Sequence, residues 1–121
     1  MGLKVLAVDD SKTMRDMVSF TLRNAGHEVI EGNDVQHALS VLGGQAVDLI
    51  ITDVNMPNMD GISLIKELRA MPAYKSTPIL VLTTEADGSK KDEGRAAGAT
   101  GWIVKPFNPE KLLQVVAKVC P

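Results

Sequence analysis

Four apolar segments of this chain each end in polar residues, and this arrangement constrains the fold more than any other feature. The polar residues that follow segments 3–8, 47–52, 78–82 and 101–104 are, respectively, Asp9 with Asp10, Asp53, Thr83 and Lys105. Short apolar segments that alternate with helical patterns predict the buried parallel strands of an α/β protein. Ligands of such sheets bind outside the carboxyl ends of the strands. We therefore expect three carboxylates, one hydroxyl group and one ammonium group to meet at a single chemical site.

Length and composition are those of an ordinary small globular domain. The chain has 121 residues, of which 45% are hydrophobic and 23% charged, so we expect one domain over residues 1–121. The net charge of −2 argues against nucleic acid as the main partner, because phosphate binding needs clustered basic charge. No segment is apolar over a length that spans a bilayer, and no leader peptide begins the chain. We therefore expect a cytoplasmic protein without membrane insertion.

Helical periodicity follows each predicted strand. Met14, Val18 and Leu22 recur four residues apart, for example, which predicts the apolar face of a first helix. Five such βα units imply a parallel sheet with helices on both faces and right-handed crossovers. The segment 28–32 is more mixed than the other strands and suits an edge of the sheet.

The segment 86–98, between the fourth and fifth strands, fits a helix least well. Alanine is its only apolar residue type, and Gly94 within it costs about 1 kcal/mol relative to alanine. Because an alanine stripe buries little apolar area, we expect this fourth helix to be the least stable of the five.

The expected site suits phosphoryl chemistry. Asp9, Asp10 and Asp53 could not all be ionised at close range without a cation, and Mg²⁺ prefers carboxylate oxygens. An aspartate can act as a covalent nucleophile toward phosphorus, while Lys105 supplies positive charge and Thr83 a hydroxyl donor. Taken singly, each residue also has a purely structural interpretation. Asp9 and Asp10 could simply face solvent at a helix start, and Asp53 could be a capping residue. Thr83 could be an ordinary strand residue, and Lys105 could be a surface lysine.

The motifs together resemble a known family. They are Val-Asp-Asp-Ser at 8–11, Thr-Asp-Val-Asn-Met-Pro at 52–57, Asp-Gly at 60–61, Leu-Thr-Thr at 82–84 and Val-Lys-Pro-Phe at 104–107. The chain resembles the receiver domain of two-component response regulators, and most of all the single-domain chemotaxis regulators of the CheY type. This resemblance implies a flavodoxin-like, doubly wound (βα)5 fold with strand order 2-1-3-4-5.

The resemblance also implies a phosphorylation site and its metal. Asp53 would accept a phosphoryl group from a histidine kinase or a small acyl phosphate. Asp10, Asp53 and the main-chain carbonyl of Asn55 would ligate Mg²⁺, and Asp9 would act through bound water. The protein would then be a phospho-acceptor with intrinsic autophosphorylation and autodephosphorylation chemistry, not a turnover enzyme.

Signal output is implied by the resemblance as well. Thr83 and Lys105 would hold the phosphoryl oxygens, helped by the main-chain N–H groups of Asn55 and Thr84. Thr83 and Trp102 would form the switch. The family usually has Tyr or Phe at the position of Trp102. Trp102 could also be simply a half-buried aromatic residue of the strand. A monomer would present the face around helix 4, strand 5 and helix 5 to a flagellar switch protein or another target, and a phosphatase is a further partner.

Two other functions use the same residues. The chain could serve as a phosphate sink or relay intermediate without an effector target. It could also be a Mg²⁺-dependent phosphatase of the haloacid-dehalogenase type, but many of those enzymes carry a second aspartate where this chain has Asn55.

Overall fold

A computed structural model describes residues 2–53, 61–83, 88–105 and 107–120, which form a parallel sheet of five strands with helices on both faces. The strands are β1 (Lys4–Val8), β2 (Glu28–Gly32), β3 (Leu49–Asp53), β4 (Ile79–Thr83) and β5 (Gly101–Val104). The helices are α1 (Lys12–Asn24), α2 (Val35–Leu42), α3 (Gly61–Arg69), α4 (Gly88–Ala97) and α5 (Pro109–Val119), and a short 3-10 helix spans Pro72–Tyr74.

The strand order is β2-β1-β3-β4-β5, with every neighbouring pair parallel. The expected fold class and order are confirmed, and β2 lies at an edge as its mixed composition predicted. The ends of β1 and β3 are neighbours, since Val8 pairs with Thr52. The chain passes from β1 to β2 on one side of β1 and then returns to β3 on the other side. A ligand-binding crevice is expected where the strand order reverses in this way, and Asp53 lies beside that point.

Local side-chain chemistry explains where three helices begin. The side chains of Ser11, Asp34 and Asn108 each accept a hydrogen bond from a main-chain N–H in the first turn of α1, α2 and α5. Such caps satisfy donors that have no partner within the helix. The end of α2 is marked by Gly43, whose φ of 51° places it in the left-handed region that glycine adopts without strain.

The core lies on both faces of the sheet. One cluster packs α2 and α3 against the sheet, with Leu64, Ile65 and Leu68 fully buried. The other packs α1 and α5, through residues such as Leu22 and Leu112. Every residue of β3 and β4 is buried, which fixes the strand ends that carry the polar residues.

The fourth helix is weakly anchored in the structure too. Asp92, Glu93, Arg95 and Ala96 are exposed, and Ala97 is only partly buried. Gly94 is buried but contributes no side chain. The low stability of α4 stays a prediction, and these contacts are its structural basis. Across the residues that the structure describes, no helix is long and apolar enough to cross a membrane.

Candidate acidic metal site

The carboxyl ends of β1 and β3 bring the three aspartates together. Asp9 and Asp10 follow β1 directly, and Asp53 is the last residue of β3. One carboxylate oxygen from each residue lies within 4.8 Å of the other two. Asp9 and Asp53 are 2% and 3% exposed, whereas Asp10 is exposed. The site is therefore a cluster of oxygen ligands with two buried members and one open to solvent.

Lys105 supplies the positive charge of the cluster. Its Nζ lies 3.2 Å from Asp9 Oδ2 and 3.4 Å from Asp53 Oδ2. The backbone N–H of Lys105 donates to the carbonyl of Thr83 at 2.6 Å, which ties the residue after β5 to the end of β4. Thr83 itself is 1% exposed. The sheet thus sets the ammonium group against two buried carboxylates, an arrangement that buried charges require.

Each polar atom of Asp9, in its main chain and in its side chain, has a hydrogen-bond or ion-pair partner. Its Oδ1 accepts the N–H of Ser11 at 2.9 Å, and its Oδ2 pairs with Lys105. Its own N–H donates to the carbonyl of Gly32 at 3.1 Å, and its carbonyl accepts from Arg15 Nη1 at 2.6 Å. Both carboxylate oxygens therefore already have a donor.

The donor set suits a hard divalent cation. Three carboxyl groups face one ammonium group, so the cluster has an excess of acidic groups whose charge a divalent ion would balance. Among the described residues the grouped ligands are carboxylate oxygens, the type that Mg²⁺ prefers, and Asp10 is exposed to solvent. The residues present therefore fit the expected metal.

Two further residues predicted to contribute, Asn55 and Thr84, lie outside the described residues. The predicted switch residue Trp102 lies in β5, where it is half-buried. The guanidinium carbon of Arg95 lies 5.0 Å from the centroid of the Trp102 ring. Next to this ring is a cavity of about 600 Å³, whose other lining residues are Ile103, Val104, Phe107, Asn108 and Lys111.

Arg15 was not predicted from the sequence as a neighbour of the site. A helical side chain points back toward the start of its helix. An arginine four residues after Ser11, which follows the acid pair directly, could therefore have been expected to reach the main chain of that pair.

Residues 5–117 match the family model of the response regulator receiver domain. The chain belongs to this family. The match runs from the second residue of β1 to the last turn of α5. This match confirms the family that the motifs predicted. The protein is a two-component response regulator.

Individual relatives agree with this assignment. The chain is 40% identical over 119 residues to chemotaxis protein CheY-3 of Vibrio cholerae, an alignment covering 98% of this chain and 92% of the relative. The structure of Vibrio cholerae CheY4 has 53% sequence identity and a TM-score of 0.94, covering 98% and 99% of the two chains.

A third relative bears on the metal. The receiver domain of a sensor histidine kinase from Pseudomonas aeruginosa is 27% identical, with a TM-score of 0.90 and coverage of 99% of this chain and 98% of that one. That structure is described with a magnesium ion coordinated in its active-site cleft.

Proposed function

We propose that residues 1–121 form a receiver domain that accepts a phosphoryl group on Asp53 and signals through a changed binding surface. The observation that carries this proposal is the setting of Asp53. Its carboxylate is buried at the end of β3, lies beside two further aspartates, and has the Lys105 Nζ 3.4 Å away. A buried acid with an adjacent ammonium group and an acidic cluster suits an acceptor of phosphoryl groups better than a capping residue.

In the proposed reaction a carboxylate oxygen of Asp53 attacks phosphorus. The new O–P bond forms as the bond from phosphorus to the donor breaks. The donor's bonding pair leaves with the carboxylate of a small acyl phosphate or with the imidazole of a phosphohistidine. No oxidant or reductant is needed. Such transfers depend mainly on positioning and on charge stabilisation, which a short list of residues can supply.

The remaining site residues have complementary roles. Lys105, already 3.4 Å from Asp53, would hold a phosphoryl oxygen as a point charge, and the buried Thr83 would donate its hydroxyl to another. Asp10 and Asp53 would ligate Mg²⁺, and Asp9 would orient a water molecule on it. When bound, Mg²⁺ neutralises charge on the transferring group and on the carboxylates.

The decisive experiment compares two aspartates at opposite ends of β3. Wild type, Asp53→Asn and Asp48→Asn are incubated with Mg²⁺ and acetyl phosphate, and the intact masses are measured. Asp48 is the matched control because it is an exposed carboxylate at the other end of the strand. We expect wild type and Asp48→Asn to gain the mass of one phosphoryl group that hydroxylamine removes, and Asp53→Asn to gain none. Equal labelling of Asp53→Asn would refute the proposal.

We further propose that the output surface is formed by α4, β5 and α5. Trp102 and Arg95 lie on this surface, beside the cavity next to Phe107 and Lys111. A phosphoryl group on Asp53 would carry about −1.5 to −2 charges in place of the charge of the free carboxylate, together with three acceptor oxygens. These oxygens would draw Thr83 toward Asp53 and favour a second arrangement around Trp102. Curated relatives are named for chemotaxis, and the family resemblance implies a chemotaxis histidine kinase as donor and a flagellar switch protein as target.

Two readouts test this output. Trp102 is the chain's single tryptophan, so its fluorescence should change when wild type is phosphorylated and stay constant in Asp53→Asn. A pull-down from a motile bacterial lysate then distinguishes an effector from a sink or relay. A flagellar protein retained only by the phosphorylated form supports the effector. Transfer of the label to a histidine of a second protein, without such retention, supports the relay.

A further inference from the structure

Asp10 is the least supported member of the acidic cluster. Within the described part of the chain its carboxylate makes no hydrogen bond and no ion pair, and the residue is exposed. Asp9, in contrast, is held by Ser11 and Lys105 through its two oxygens. The placement of the Asp10 carboxylate must therefore be set mainly by its main chain, beginning with the peptide group that joins it to Asp9.

That peptide group is held by Arg15. Nη1 of Arg15 donates to the carbonyl of Asp9, the oxygen of the Asp9–Asp10 peptide, at 2.6 Å. The Arg15 side chain is only 16% exposed, although it lies in the first turns of α1. A short bond from a largely buried cation to this carbonyl restricts rotation of the peptide plane, and so restricts the direction in which Asp10 leaves the strand.

The arginine is oriented in turn by Glu31 on the edge strand β2. Nε of Arg15 lies 3.7 Å from Glu31 Oε1. The same carboxylate lies 3.5 Å from Nη2 of Arg23, which also donates to the carbonyl of Val29 at 3.2 Å. Long, partly exposed ion pairs of this kind contribute little to stability. The useful consequence of the pair is the orientation that it gives to the Arg15 guanidinium.

We propose that Arg15, oriented by Glu31, is a positioning residue that sets the Asp10 carboxylate for Mg²⁺ binding. This inference rests on the proposed function, because it takes the acidic cluster as the metal site. The direction of the change in Mg²⁺ affinity on removal of Arg15 distinguishes this positioning role from simple electrostatics. Removing a nearby cation should, by charge alone, tighten the binding of Mg²⁺ to the carboxylates. Loss of a positioning contact should weaken that binding, by about tenfold for a partner that orients a metal ligand.

The test measures Mg²⁺ affinity by isothermal titration calorimetry for wild type, Arg15→Ala, Arg15→Lys, Glu31→Gln and Arg23→Ala. Arg23→Ala is the matched control, since it removes another arginine of α1 from the same carboxylate without touching Asp9. We expect Arg15→Ala to raise the Kd about tenfold. Arg15→Lys and Glu31→Gln should raise it less, and Arg23→Ala should leave it within twofold of wild type.

A second readout needs no metal. The N–H of Ser11 donates to Asp9 Oδ1, so hydrogen exchange of this amide reports on the order of the Asp9–Asp10 segment. In the metal-free protein it should exchange faster in Arg15→Ala than in wild type or Arg23→Ala.

The outcomes separate this inference from the proposed function. An unchanged or lower Kd in Arg15→Ala overturns the positioning role, and an equal rise in Arg23→Ala assigns the effect to loss of helix stability. An unchanged Kd in Glu31→Gln shows that Glu31 does not orient Arg15 for this role. If Arg15→Ala does not fold, Arg15→Lys decides the question, because it keeps the charge and loses the paired donors. Failure of the wild type to bind Mg²⁺ refutes the proposed function instead.

Discussion

Replacing Gly94 by alanine should stabilise this protein, because the structure has room for the methyl group. A Cβ built at Gly94 would lie 3.7 Å from Ile62 Cδ1, 3.8 Å from Ala99 Cβ and 3.9 Å from Val81 Cγ2. These are ordinary van der Waals distances, and all three neighbours are side-chain atoms. Gly94 also lies inside α4, three residues before the last residue of that helix.

The expected gain follows from two terms. Alanine is favoured over glycine in a helix interior by about 1 kcal/mol. Burial of one methyl group adds at most about 0.8 kcal/mol, reduced by any adjustment of the neighbouring side chains. We expect a net gain of about 1 kcal/mol, which raises the Tm of a domain of this size by roughly 3–6 °C.

Thermal unfolding followed by circular dichroism tests this gain, with Gly98→Ala as the contrasting variant. Gly98 has a φ of 112°, and a Cβ there would lie 2.9 Å from Arg69 Cγ, so its replacement by alanine should lower the Tm. Native-state hydrogen exchange should show α4 to be the least protected helix and should slow there in Gly94→Ala. A Tm that falls in Gly94→Ala, or wild-type protection of α4 equal to that of α1, would refute the reasoning.

Three further substitutions probe other contacts. The hydroxyl of the buried Tyr74 donates at 2.7 Å to a main-chain carbonyl in the loop after α2, so Tyr74→Phe should cost about 1–2 kcal/mol in urea unfolding; an unchanged midpoint would contradict this. Burial, and then the charge of Asp48, raise the pKa of the Cys120 thiol. Asp48→Asn should therefore lower that pKa and speed alkylation by iodoacetamide at mildly alkaline pH, with equal rates in the two denatured proteins as the control. Arg95→Ala should increase acrylamide quenching of Trp102 by uncovering its ring, whereas Arg95→Lys should change it less; identical quenching in all three proteins would contradict the contact.

The sequence predicted the sheet well because most strands are short and apolar and most are followed by a clear helical pattern, with segments 28–32 and 86–98 as the weaker cases. The segments 49–53 and 79–83 are buried throughout, as expected for central strands. The caps at Asp34 and Asn108 follow from the same local chemistry, since an Asx side chain before an apolar helix is strongly favoured as an N-cap. Strand order came from family resemblance, because local patterns carry little information on which strands become neighbours.

The candidate site was predicted as a set of side chains, but not the contacts that hold it in place. Residues at the ends of parallel strands meet by geometry, so the convergence of Asp9, Asp53 and Lys105 could be anticipated. The contact of Arg15 with the main chain of Asp9 was not predicted: the spacing from Ser11 places the arginine near this main chain, but its rotamer and the distance between α1 and β2 decide whether the contact forms. Motifs show which side chains are present, whereas the tertiary packing determines how each side chain is oriented.

The ion pair between Asp9 and Lys105 joins positions 96 residues apart in the sequence. During synthesis the amino-terminal strands emerge first, so the acidic residues leave the ribosome long before their lysine. An incomplete chain would therefore present buried acidic residues that lack their counter-charge. The cluster is completed only when translation has passed β5 and that strand has docked beside β4.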